Sequence, residues 1–277
     1  MTVAVVLDMD PRWWCHNDAV NLMESIKFYI SFMGNSVGPQ LKVGIYACFS
    51  DKTETVVCGD WMSCLAKLDD ELEALIMRRR SGSLESVVYE SPIAQGISKS
   101  ILYIGKVGDS LAISSRIIVF ECSRESVDFA SQSVALSNCG WAAANVRIHV
   151  VSLASETPSS NLLSVSTKTG GVHIPYSMTV GGGKLIQSML FHLATPDDSA
   201  VKVLKIRPQS VRTHMGTTCV CHNKPMDKGY VCSICLAIYC AETGAICSVC
   251  GSRFRREAKD ELPIRLQVFS KLFSLPQ

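Results

Sequence analysis

The chain has 277 residues, room for one domain of about 200 residues and a smaller second one. With 47% hydrophobic and 19% charged residues it can bury a large core, which excludes wholesale disorder, and no apolar run approaches the roughly 20 residues of a membrane span. A net charge of +2 excludes binding to nucleic acid by bulk electrostatics.

Residues 2–7 form a short apolar run ending at Asp8 and predict a buried strand. Ala19, Met23, Ile26, Ile30 and Met33 recur at helical spacing, with Asn17 or Asp18 as cap and Gly34 as stop. Residues 41–49 return to strand, and 63–80 to helix, with Leu65, Leu68, Leu72, Leu75 and Ile76 on one face. Pro92 opens a helix striped by Ile93, Ile97, Ile101 and Ile104. A strand over 117–120, a helix over 126–138 closed by Gly140, and a strand over 146–153 follow. A helix over 160–169, a short strand at 172–174 and a helix over 183–194 complete the series. Strands that read as apolar on both faces, alternating with helices, predict an α/β fold with a mostly parallel sheet covered on both sides. The expected division is an α/β domain over 1–200, a polar linker over 201–218, a cysteine-rich module over 219–252 and an apolar tail over 253–277.

Seven of the thirteen cysteines lie between Cys219 and Cys250. Cys232/Cys235 and Cys247/Cys250 are C-x2-C pairs, each of which sets two thiolates on one side of a tight turn. Two such turns facing each other supply the S4 tetrahedron that zinc prefers. Cys219, Cys221, His222 and Cys240 remain as donors for a second zinc, although Cys221 and His222 are adjacent and one of them is alternatively a packed side chain. The order of the groups permits a cross-brace, in which the first and third share one metal and the second and fourth the other. The competing reading, disulfides, needs an oxidising compartment. The N-terminus lacks the basic and long apolar regions of a signal peptide, and the other six cysteines are scattered singly among apolar residues, as reduced core thiols are.

Catalytic and nucleotide motifs are missing from the α/β segment. The turn after the first strand, Asp8-Met9-Asp10-Pro11-Arg12-Trp13-Trp14, contains no glycine, so it is not a dinucleotide turn. Gly181-Gly182-Gly183-Lys184 lacks the earlier glycine and the following Ser or Thr of a phosphate loop. His16, His149, His173 and His192 have no partners at triad spacing.

The same residues carry a resemblance. The D-x-x-P-x-W-W turn, the helix Ala94-Gln95-Gly96-Ile97-Ser98-Lys99-Ser100, Ser115-Arg116-Ile117-Ile118-Val119, the Thr169-Gly170-Gly171 turn and the Cys219–Cys250 pattern are similar to the smaller von Willebrand A-domain subunit of the core of general transcription factor TFIIH. Residues 50–62 and 105–114 depart from that family. The resemblance implies a von Willebrand A-type sheet joined to a zinc module, in a non-enzymatic scaffold subunit. Its implied partner is the larger A-domain and zinc subunit, and through it the rest of core TFIIH. Transcription initiation by RNA polymerase II and nucleotide-excision repair in the nucleus are the implied roles.

The A-type fold often holds a metal at D-x-S-x-S after its first strand. Here Asp10 and Arg12 replace the serines, so the expectation is a degenerate site in which Arg12 neutralises Asp8 and Asp10. Trp13 and Trp14 of the same turn either contact a partner or pack into their own domain. The functional alternative is a RING-like ubiquitin ligase with an A-domain substrate reader, although C-x-C and a lone Cys240 depart from the RING pattern. A DNA-binding role resting on Arg253, Arg255, Arg256 and Lys259 is diluted by Glu257, Asp260 and Glu261, so DNA contact is at most indirect. Eight large apolar side chains between Leu262 and Leu275 predict a tail that folds back or docks on a partner.

Overall fold

A computed structural model describes residues 1–10, 14, 18–80, 92–107, 115–122, 130–154, 160–175, 182–193, 217–222, 225–226, 228–235, 237–240 and 245–254. The expected linker lies outside the described residues apart from Thr217 and Thr218, as do Arg12, Trp13 and the tail beyond Phe254. The chain divides into two compact units, one built on the α/β sheet and one on the cysteine-rich segment, with residues 128–134 grouped with the second.

In the first unit the strands are β1 (Thr2–Asp8), β2 (Lys42–Cys48), β3 (Thr53–Asp60), β4 (Arg116–Glu121), β5 (His149–Ala154) and β6 (His173–Pro175). They form one sheet in the order β3-β2-β1-β4-β5-β6. All neighbours run parallel except β3, which returns antiparallel along β2 at the edge. This is the mostly parallel α/β sheet expected from the sequence. Every residue of β1 is buried, because it lies between β2 and β4 with helices on both faces.

The helices are α1 (Asp18–Val37), α2 (Trp61–Arg80), α3 (Ile93–Val107), α4 (Ala130–Asn145), α5 (Ser160–Lys168) and α6 (Gly182–Leu193). Alternation along β1 sorts them into two layers. Val3, Val5 and Leu7 face a core shared with Leu22, Ile26 and Met33 of α1, Leu68 of α2 and Met189 of α6. Val6 faces the other way, toward α3, where a Cβ on Gly96 would stand 2.5 Å from Val6 Cγ1 and 2.7 Å from Cys48 Sγ. Glycine at 96 is what lets α3 lie this close to the sheet. α4 joins the same layer through Cys139, whose Sγ is 3.1 Å from Ser98 Oγ of α3, and α5 through Ser166 Oγ, 2.8 Å from Ser152 Oγ of β5.

Three details differ from the sequence expectation. β3 falls in a stretch with no predicted element: as an edge strand it covers one face only, and its Thr-Glu-Thr start is polar. α1 runs through Gly34 to Val37, and Gly38 (φ 86°) takes the left-handed turn instead. Gly34 is interior because Trp61 packs on it; a Cβ there would lie 2.3 Å from the indole. Likewise α4 continues past Gly140, which rests on Val165 of α5, to Asn145, and Arg147 (φ 56°) turns the chain after it, its N–H donating to Ala144 O at 3.1 Å.

Several buried polar groups in this unit are bonded across elements, while Trp61 Nε1 and His173 Nε2 are buried without a partner among the described residues. Arg116 donates from Nη1 to Leu193 O (2.5 Å), and Tyr29 donates to the same oxygen (3.2 Å), capping the end of α6. Burial raises the Tyr29 phenol to about 12, so it remains a donor. In the Thr169-Gly170-Gly171 turn, Thr169 Oγ1 accepts from Val150 N–H (3.0 Å), which fixes the approach of β6 to β5.

Candidate metal centres

The cysteine-rich unit is organised by short pairings. β7 (Thr217–Thr218) pairs with β8 (Pro225–Met226), and β9 (Tyr230–Val231) with β10 (Ile238–Tyr239), all antiparallel. Between β9 and β10 the chain turns through Cys232–Cys235, and Cys232 N–H donates to Ala237 O at 2.9 Å. The second turn, Cys247–Cys250, is closed by Gly251 (φ 70°) donating to Cys247 O at 2.9 Å and by Cys247 N–H donating to Ser252 O at 2.8 Å. Each hydrogen-bonded turn aims its two sulfurs to one side. Gly229 allows the chain to pass β10, because a Cβ there would stand 2.7 Å from Tyr239 O.

Two donor groups result. Cys232, Cys235, Cys247 and Cys250 form one, and Cys219, Cys221, His222 and Cys240 the other, with all donor atoms of a group within 4.8 Å of one another. In the first group Cys232 and Cys250 sulfurs are 3.8 Å apart, and Cys235 and Cys247 sulfurs 3.6 Å. Zn–S bonds of about 2.3 Å give a tetrahedral edge of about 3.8 Å, so the spacing suits zinc. In the second group His222 Nδ1 is 3.2 Å from Cys240 Sγ and 4.0 Å from Cys219 Sγ. These bracket the edge of about 3.6 Å expected with one Zn–N bond of about 2.0–2.1 Å. Cys221 and His222 both reach this group despite being adjacent. Cys221 and Cys240 sulfurs are 3.2 Å apart, beyond the S–S bond of about 2.05 Å, and every described cysteine is free. First and third ligand segments serve one group, second and fourth the other, which is the interleaving that the order of cysteines permits.

The two groups are tied through β10. Val220, between Cys219 and Cys221, donates its N–H to Ile238 O at 2.8 Å, and Cys240 follows directly after β10. Tyr239 of the same strand is buried, its hydroxyl 3.0 Å from Cys247 Sγ and its ring edge-on to Phe254 at 6.1 Å. The core around them is small: Cys232, Ala237, Tyr239 and Cys247, with Val220, Val249 and Phe254 against it.

Without a cation the thiols resist joint ionisation. Burial raises Cys232, but the N–H groups of Cys235 and Ile234 and the Ser252 hydroxyl outweigh it and bring that thiol down to about 6. Burial and the neighbouring sulfurs of Cys250, Cys232 and Cys247 push Cys235 up to about 12. Hydrogen bonding to Cys221 likewise pushes Cys240 up to about 11. A divalent cation among the donors removes this opposition, because thiolate is the ligand form. The donor chemistry therefore fits zinc in both groups.

At the carboxyl end of β1, Asp8 and Asp10 are both buried, and Asp8 Oδ2 accepts from Cys122 N–H at 3.1 Å. Burial first, then the charges of Asp8, Glu121 and Asp10, raise the Cys122 thiol well above its usual range. Trp14 is half-buried against the sheet core and donates its indole N–H to Asp8 O at 2.8 Å. That bond ties one of the two candidate partner-contacting tryptophans into its own domain; Trp13 and Arg12 lie outside the described residues.

The family model for transcription factor Tfb4 matches residues 63–251, from α2 through both donor groups. The chain belongs to the Tfb4 family. The Schizosaccharomyces pombe general transcription and DNA repair factor IIH subunit tfb4 is 26% identical over 253 residues, covering 87% of this chain and 76% of that protein. The Arabidopsis thaliana general transcription and DNA repair factor IIH subunit TFB4 is 25% identical over 282 residues, covering 94% and 90%. Among solved structures, the TFIIH p34 N-terminal domain superposes with a TM-score of 0.56 at 18% identity, over 69% of this chain and 96% of that one. The Tfb4 match includes all eight donors, so sheet and metal module fall under one family assignment.

Proposed function

We propose that this chain is a non-catalytic structural subunit of TFIIH that serves RNA polymerase II transcription initiation and nucleotide-excision repair in the nucleus. One observation carries the reading: an A-type sheet and two interleaved four-donor groups occur in one chain of the Tfb4 family, whose relatives bear TFIIH subunit names. Its partner is the larger A-domain and zinc subunit, which links it to the rest of the core. Zinc is the cofactor, with Cys232, Cys235, Cys247 and Cys250 holding one ion and Cys219, Cys221, His222 and Cys240 the second. The relatives favour this reading over a RING-like ligase.

The test is affinity purification of the tagged full chain from its own cells. Core TFIIH subunits should be recovered in stoichiometric amounts; their absence would refute the assignment. The degenerate site adds a second expectation. Asp8 and Asp10 serve the fold, Asp8 through its bond to Cys122, so recovery of partners should be equal with and without added Mg2+. A Mg2+ requirement that disappears in Asp8→Ala would show that the turn holds a working metal site.

A further inference from the structure

The two helix layers differ in charge. α2 carries Asp69, Asp70, Glu71 and Glu73 on its exposed side. α3, α4 and α5 contain no aspartate or glutamate at all, and α4 contains no charged residue of either sign. A helix of 16 residues without a charge is unusual on a surface in water, yet α4 exposes Ala135, Asn138, Trp141 and Ala142. Trp141 is 59% exposed, Val146 just past the helix 59%, and Leu102 of α3 73%. α4 packs beside α3 through Cys139 and Ser98 and beside α5 through Gly140 and Val165, so these side chains belong to one continuous layer. Among the described residues its exposed charges are Lys106 and Lys168, with Arg147 just past α4, while the Lys99 ammonium is bound to Thr53 O of β3. Lys168 Nζ sits over the Trp141 ring, 5.5 Å from its centre, and donates to Ser137 Oγ at 3.2 Å, which holds the cation against the indole.

We propose that the α3–α4–α5 layer is a docking surface for a protein partner with an apolar centre and an aspartate- and glutamate-rich rim, carried by another subunit of the assembly. The inference rests on the TFIIH reading above. An exposed indole on an uncharged helix is the residue type that anchors interfaces, and cations beside it select a partner of the opposite sign. A few cations around an apolar centre do not suit duplex DNA, whose binding rests on neutralising many phosphates.

The test uses the tagged full chain in its own cells, with recovered TFIIH subunits quantified. Trp141→Asp and the double charge reversal Lys106→Glu/Lys168→Glu should each lower recovery at least tenfold. Phe28→Asp, on exposed α1 in the opposite layer, should leave it unchanged. A photo-crosslinking residue in place of Leu102 should label a partner segment of net negative charge. Melting of the α/β unit checks folding; if Trp141→Asp melts early, the charge reversal decides. Normal recovery with both variants overturns the proposal, as does crosslinking to nucleic acid or to a basic segment. If the unmutated chain recovers no TFIIH subunit, the functional reading itself fails and this inference falls with it, an outcome visible before any variant is made.

Discussion

Replacing Cys247 by serine should remove one zinc ion from a chain that otherwise binds two, and should unfold the cysteine-rich unit while the α/β unit stays folded. A serine hydroxyl stays protonated at neutral pH and is a poor match for a soft S4 site, so three thiolates remain around the ion. Structural zinc contributes on the order of 10–16 kcal/mol of apparent binding free energy in small modules. The apolar core here, centred on Cys232, Ala237, Tyr239 and Cys247, cannot replace that contribution, since units below about 40 residues usually need a metal or disulfides to fold. Cys247 is also buried and bonded to Tyr239, so the change disturbs the packing at the same point. Because β10 joins the two donor groups, Cys240→Ser should weaken zinc binding at the first group as well as abolish it at the second. Elemental analysis, with limited proteolysis over 219–254, reads both effects. No zinc in chain purified without chelator, or two ions retained by Cys247→Ser, would refute the metal assignment.

Gly171→Ala should produce the largest loss of stability among single methyl additions to the α/β unit. A Cβ at 171 would stand 1.9 Å from Val150 O and 2.7 Å from Val150 C. The obstacle is the backbone of β5 rather than a flexible side chain, so the strand itself must move. Moving it strains the Ser152 N–H bond to Val172 O (3.1 Å) and the Val150 N–H bond to Thr169 Oγ1 (3.0 Å). A cost of about 3 kcal/mol or more is expected, at the upper end for overpacking. In a unit of this size that lowers the melting temperature by roughly 6–12 °C. Gly105→Ala is the matched control, since a Cβ there meets nothing within 4 Å and α3 gains a better helix former. Equal melting of Gly171→Ala and the wild-type chain would show that the β5–β6 approach is looser than described.

Much of the fold was legible because its central strands are buried on both faces. Thr2–Leu7 and Ile117–Phe120 are continuous apolar runs, and such runs mark buried strands whichever neighbours they have. β3 was not legible for the complementary reason. An edge strand has one covered face and one free side, so Thr53, Glu54 and Thr55 satisfy it without an apolar run. Gly34 and Gly140 read as helix stops from composition alone, but each lies in a helix interior where a neighbouring element, the Trp61 ring or Val165, comes close. A glycine ends a helix by its left-handed backbone and admits a neighbour by its missing side chain, and a one-dimensional pattern does not distinguish the two.

By itself the sequence determined the mostly parallel α/β class, the family resemblance and the eight candidate metal donors. Burial on two faces and C-x2-C turns are local requirements, written within a few residues of one another. Only the tertiary structure decided that Cys221 and His222 both reach one donor group, that Trp14 is tied to Asp8, and that the acid-free helices α3, α4 and α5 share one layer with an exposed Trp141. Those outcomes depend on which distant segments fold against each other. Val220 reaching Ile238 O is what turns Cys221 and His222 toward Cys240, and no spacing along the chain encodes that contact.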